Sequence, residues 1–233
     1  MKAANEGFLF IDKEEIYSNA WYLIGRATEE TSLYGNDVSN NLVIDALKLW
    51  QIYHFHDTSS TAAIKQYCHI TNNRRLEFDA SNLAAFLYKL KQTKPFYFNK
   101  IEETIKLVAP YFDKFILEPN ELNPSKIKLE WRQNGSENYF DAFSFSDGTL
   151  RFISLATLLL QPNPPDTIII DEPELGLHPY AISVLAALIR AFSIEKQIIV
   201  STQSVTLLDY FEPEEIIVVD KQAENSRKIG SEH

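Results

Sequence analysis

The stretch "TIIIDEPELGLHPY", Thr167 to Tyr180, runs a β-forming segment straight into two adjacent carboxylates, Asp171 and Glu172, then a proline and a short loop. An apolar, β-branched run bounded by turn residues predicts a strand buried on both faces, as in a parallel sheet. The residues that follow keep the rhythm. "PYAISVLAALIRAFS" predicts a helix with Pro179 as its first residue, where a missing N–H costs nothing. "QIIVST" predicts the next strand, "SVTLLDYF" a short helix and "EEIIVVD" a further strand. Upstream, "FSDGT" leads into the apolar helix "LRFISLATLLL", which the breaker run "QPNPPD" closes. Strands alternating with helices predict an α/β fold with a mostly parallel sheet flanked by helices.

Farther upstream the pattern changes. "EEIYSNAWYLIGRATEETSLYG" reads as loosely helical, and "DALKLWQIYHFHDTSS" carries aromatics into a Ser/Thr-rich turn. "SNLAAFLYKLKQ" predicts a helix capped by Ser81 or Asn82, with Leu83, Phe86, Leu87 and Leu90 on one face. "KIEETIKLVAPYF" predicts another, with Ile101, Ile105 and Val108 inward. In "KIKLEWR", Ile127, Leu129 and Trp131 alternate with charged residues, and Asn134-Gly135 turns the chain into "YFDAFSF". That is a β-hairpin with one buried face.

Composition narrows the function classes. The chain has 233 residues, 45% of them hydrophobic, and a formal net charge of −10. Such a balance disfavours a broad basic surface for nucleic acid or anionic lipid. The single cysteine, Cys68, rules out an intramolecular disulfide and fits a reducing compartment. No apolar window approaches the length of a membrane span or a signal peptide, so a cytoplasmic protein with no membrane partner is expected.

In open α/β sheets ligands gather at the carboxyl ends of the strands. Asp171 and Glu172 occupy that end of one predicted strand, and Gln203 lies just past the end of the next. A strand ending in Asp-Glu suits a Mg²⁺ ligand beside a group that orients and deprotonates water. Asp171 acting only as a loop cap is the plainer reading. Ser146, placed just before a helix, offers an anion site with the free N–H groups of the first turn.

Taken in order, "FSDGT", "TIIIDEPELGLHP" and "IIVSTQS" resemble the second half of ABC-type ATPase heads. The resemblance is to the ABC-like AAA ATPases grouped with RecF, structural-maintenance-of-chromosomes heads and overcoming-lysogenisation-defect nucleases. It covers roughly residues 143 to 220 and implies a P-loop NTPase-like partial fold. A helical/β-hairpin N-terminal portion is expected to precede it, and the chain to divide into a mainly helical N-terminal portion (1–125), a signature and Walker B α/β lobe (126–220) and a polar tail (221–233). In that resemblance Phe145 to Thr149 match the signature motif, with Ser146 and Gly148 contacting nucleotide held by a second head. Asp171 and Glu172 match Walker B and its catalytic glutamate, Leu175 to Pro179 the D-loop, and Gln203 the switch position. ATP and Mg²⁺ are the implied cofactors, and a homodimer of heads is the implied assembly. Asp147 departs from the two-glycine signature, and Gln203 cannot titrate as a switch histidine would.

One motif is missing from these residues. A phosphate-cradling G-x-x-x-x-G-K-[ST] needs a lysine after glycine, and none of the seven glycines is followed by one. The resemblance therefore implies a C-terminal part whose Walker A lobe lies elsewhere, inactive by itself. A non-catalytic dimerisation or regulatory module of the same ancestry is the alternative. Other tempting sites have plainer readings. His54, His56 and Asp57 could hold a metal, as in a metal-dependent hydrolase, or simply pack near the sheet. His178 suits a contact between heads or a structural role, and Arg74-Arg75 a phosphate contact or a solvated pair.

Overall fold

The computed structural model describes residues 50–219 in full, together with the backbone pairing of strands within residues 2–28. Strands β1 (Lys2–Ala3), β2 (Leu9–Tyr17) and β3 (Trp21–Thr28) form an antiparallel sheet in the order β1-β2-β3. The loosely helical reading of this stretch is thus corrected: its aromatic and branched residues favour the pleated strand, and two such runs pair with each other. The continuation through residues 29–49 lies outside the described residues.

Next comes β4 (Trp50–Tyr53), followed by the short strand β5 (Cys68–His69). Helices α1 (Leu83–Thr93) and α2 (Pro95–Val108) then bury the predicted faces, Leu83, Phe86, Leu87 and Leu90 on α1 and Ile101 and Ile105 on α2. Val108 is only half-buried. Asn82 stands at the α1 cap position without capping through its side chain. That side chain is buried and accepts from the Glu77 N–H while donating to the Asn72 and Arg75 carbonyls, so it closes the preceding loop.

Strands β6 (Phe112–Ile116), β7 (Lys126–Ile127), β8 (Glu130–Gln133) and β9 (Tyr139–Asp141) contain the predicted hairpin. β8 pairs with β9 across a turn in which Gly135 takes φ +74°, and β6 pairs on the other side of β8. The alternating run is divided between two sheets, because β7 pairs with β5 instead. Ile127, Leu129 and Trp131 are all buried as the alternation requires.

Helix α3 (Asp147–Leu160), strand β10 (Thr167–Asp171), helix α4 (Pro179–Ser193), strand β11 (Gln197–Ser201) and the short helix α5 (Val205–Leu208) complete the order. β10 is the centre of a parallel sheet, with β11 on one side and β4 on the other. The sheet therefore draws a strand from before residue 125 and two from after it. Ile168 and Ile170 point into a core shared with Leu155, Leu158, Leu185 and Ile189. Burying each such side chain contributes roughly 1.5–3 kcal/mol.

Two expectations fail here. Parallel strands are normally covered on both faces, yet the described residues leave the in-register row Ile52, Ile169 and Ile199 partly uncovered, with Ile52 50% and Ile199 40% exposed and Ile169 half-buried. And the described part of "EEIIVVD", residues 214–219, is not a strand: a 3₁₀ turn occupies Pro213–Glu215, and Ile217, Val218 and Val219 are exposed. Among the described residues no strand pairs with them, so their β propensity goes unused. No helix of the described residues is long and apolar enough to cross a membrane.

Candidate functional site

Parallel pairing places the ends of β10 and β11 side by side, with Asp171 opposite Ser201. The Ser201 hydroxyl donates to the Asp171 carboxylate. One residue on, the Glu172 N–H donates to the Ser201 carbonyl at 2.8 Å, extending the ladder past the strands. Gln203 Nε2 donates to Glu172 Oε1 at 3.0 Å. The two acids and the glutamine singled out in the sequence are therefore brought together.

Glu172 has φ +37°, a left-handed conformation that costs a residue with a Cβ of order 1–3 kcal/mol. Such strain persists only where surrounding contacts enforce it. Here the turn is held by Leu175 N–H to the Glu172 carbonyl at 3.1 Å and Leu177 N–H to the Glu174 carbonyl at 2.9 Å. His178 then caps α4, its Nδ1 accepting from the Tyr180 N–H at 3.3 Å, so its structural reading is the one the geometry supports.

The other predicted residues lie against this loop by a different route. Ser146 is the N-cap of α3, accepting from the Thr149 N–H at 3.2 Å and meeting the Thr149 hydroxyl at 2.8 Å. Phe145, just ahead of it, stacks on Trp131 with ring centres 4.5 Å apart and planes 17° apart. The hairpin therefore fixes where α3 begins. Gly148 meets the loop backbone so closely that a Cβ would fall 2.2 Å from the Gly176 carbonyl oxygen. Gly176 itself has φ +75°.

Arg151 was not foreseen as a site residue. It is the lone cation of a largely apolar helix, and that isolation is the signal the sequence offers. Its guanidinium donates to the carbonyls of Phe55 at 3.1 Å, His56 at 2.8 Å and Leu175 at 2.5 Å. One side chain thus ties α3 to the extension of β4 and to the loop after β10. His56 Nε2 donates in turn to the Asp171 carbonyl at 2.8 Å. The "HFHD" segment is a strap beside the acids, the plainer of its two readings. No group of three or more His, Cys, Asp or Glu side chains among the described residues is placed to hold a metal. Lys65, also unforeseen, is buried, donates to the Thr58 carbonyl at 2.5 Å and lies 3.6 Å from the Asp147 carboxylate.

Chemically, Asp171 and Ser201 present a carboxylate and a hydroxyl together, the hard oxygen donors a Mg²⁺ ion takes alongside water. Glu172 supplies a proton acceptor next to them, and Gln203 an amide that orients one of its oxygens.

Residues 9–209 match the family described as "AAA domain, putative AbiEii toxin, Type IV TA system". No curated protein matches the chain. Among solved structures, an SMC ATPase from work on ATP-driven dimerisation and DNA-stimulated activation is 19% identical, with a TM-score of 0.41 over 54% of this chain and 78% of that one. An Smc head bound to the C-terminal winged-helix domain of ScpA is 18% identical, with a TM-score of 0.49 over 82% of this chain and 57% of that one. An Smc head with an extended coiled coil, bound to the C-terminal domain of ScpA from Pyrococcus furiosus, is 20% identical, with a TM-score of 0.39 over 57% of this chain and 36% of that one.

Proposed function

The chain belongs to the AAA domain family whose pattern spans residues 9–209, and from that premise we propose that it supplies the acidic, water-activating half of an ATP-hydrolysing site. The observation that carries this reading is the meeting of Asp171, Glu172 and Gln203 at the carboxyl edge of the parallel sheet, with Glu172 held in a strained conformation. Strain of this kind is characteristic of catalytic positions.

Asp171 and Ser201 are the residues that would hold Mg²⁺, and the ion, when bound, supplies charge neutralisation at the phosphates. Glu172 accepts a proton from the attacking water at its carboxylate. Gln203 aligns that carboxylate through the bond to Oε1. Ser146 and Gly148 serve a second nucleotide site in trans, in a dimer of heads, and the close packing of Gly148 on Gly176 makes the two surfaces one rigid edge. The phosphate-cradling loop is supplied from outside these 233 residues, since none of their glycines precedes a lysine. The partly uncovered face of the sheet at Ile52, Ile169 and Ile199 is consistent with a further lobe packing there.

Calorimetric titration of the 233-residue chain with MgATP tests the half-site directly. Little or no binding in the micromolar range is expected. Micromolar affinity would show that the chain holds phosphate unaided and would overturn the proposal.

A further inference from the structure

The ends of β10 and β11 and the loops that follow them meet through three side-chain pairs, acceptors on one side and donors on the other. Asp171 takes the Ser201 hydroxyl, Glu172 takes the Gln203 amide, and Glu174 takes the Thr202 hydroxyl on its Oε1. The third pair differs from the first two in its surroundings. Glu174 is only 9% exposed, and its Oε2 is buried with no hydrogen-bond partner among the described residues. Burying a carboxylate oxygen this way is costly, and an apolar side chain would fill the same space without that cost. The Thr202 hydroxyl does two jobs at once, donating to Glu174 and accepting from the Ser204 N–H at 3.0 Å. Ser204 then caps α5, accepting from the Leu207 N–H at 3.3 Å. Gln203 sits between the two anchored residues, and its amide reaches Glu172 from there.

We propose that Glu174 and Thr202 form a positioning pair that holds Gln203 on Glu172. Its consequence for catalysis rests on Glu172 being the water-activating group; its geometry does not. The pairs Ser201 with Asp171 and Gln203 with Glu172 are exposed, so water or a ligand can compete for their partners. The Glu174 to Thr202 bond is sheltered and keeps the two loops in register during that competition.

Thr202→Val keeps the side-chain shape and deletes the hydroxyl, whereas Thr202→Ser keeps the hydroxyl. The readouts, on the full ¹⁵N-labelled chain without nucleotide, are the Gln203 side-chain amide resonances and the exchange rates of the Leu175, Leu177 and Ser204 amides. Thr202→Val is expected to move the Gln203 resonances to those of a Glu172→Ala variant. It should also speed exchange in both loops about tenfold, the equivalent of one lost hydrogen bond, with α3 amides unchanged. Thr202→Ser should restore both. Glu174→Leu breaks the same bond from the other side and should reproduce the Thr202→Val pattern, which covers a failure of either variant to fold. Unmoved Gln203 resonances, faster exchange confined to the mutated loop, or equal loss of protection in α3 would each overturn the proposal, as would failure of both variants to fold. Because no nucleotide is present, these outcomes stand apart from whether the complete protein hydrolyses ATP.

Discussion

The start of α3 and the loop after β10 touch at Gly148 and Gly176, yet they are built in opposite ways. The first is fixed by shape: Phe145 stacked on Trp131, a glycine against a carbonyl, and one guanidinium closed on three backbone oxygens. The second, beyond the backbone bonds that hold its turn, is tied to the end of β11 by polar side chains whose partners are themselves hydroxyls, carboxylates and an amide. Stacked rings, a glycine against backbone and a cation shared by three carbonyls leave little freedom, whereas single side-chain bonds at an exposed edge are open to competition from water. A rigid edge beside an exposed acid pair suits the proposed site, which a second body would complete.

That contrast can be broken most severely from the rigid side. Trp131 stacks on Phe140 and Phe145 and donates from its indole to the Asp141 carbonyl at 3.1 Å, so Trp131→Ala should cost about 3–5 kcal/mol in denaturant unfolding. Arg151→Met keeps most of the aliphatic stem and leaves three carbonyls without their donor. A loss of about 3 kcal/mol is expected, with amide exchange rising first in residues 54–57 and 174–177. Gly148→Ala forces backbone apart at Gly176 and should lower stability by about 2 kcal/mol, visible as a reduced melting temperature. On the exchangeable side Gln203→Ala should change stability by less than about 0.5 kcal/mol, because the bond it removes is exposed. A large loss there would erase the distinction between the two regions.

The rigid side also carries a titration. Burial pushes the Glu102 carboxyl above its ordinary value of 4.5, opposed by a hydrogen bond from the Phe115 N–H. The folded chain then binds that proton more readily than the unfolded chain does. Stability falls as pH rises from the ordinary glutamate value through the raised one. Glu102→Gln, which keeps an acceptor for Phe115, should flatten that part of the stability profile while leaving the rest unchanged.

Much of the scaffold was legible because it obeys local periods. The strand before Asp171, the helix opened by Pro179 and the hairpin turned at Gly135 each follow from spacing and turn chemistry. The candidate acids were legible for the same reason, standing at a strand end. What the spacing does not carry is pairing between distant segments. That β4 would lie beside β10, bringing "HFHD" to the Asp171 carbonyl, depends on a contact across 115 residues. Arg151 and Thr202 reveal their partners only once three chain segments converge. "EEIIVVD" failed in the other direction, since its composition favours a strand but no partner strand stands beside it among the described residues.

The central claim is that Asp171 and Glu172 are one half of a hydrolytic nucleotide site. Steady-state ATP hydrolysis by the chain supplemented with a phosphate-binding lobe, compared with the Glu172→Gln variant, tests it most directly. The account predicts that the variant still binds ATP and associates into a dimer but loses turnover by at least about a hundredfold. Unchanged turnover by Glu172→Gln would contradict it.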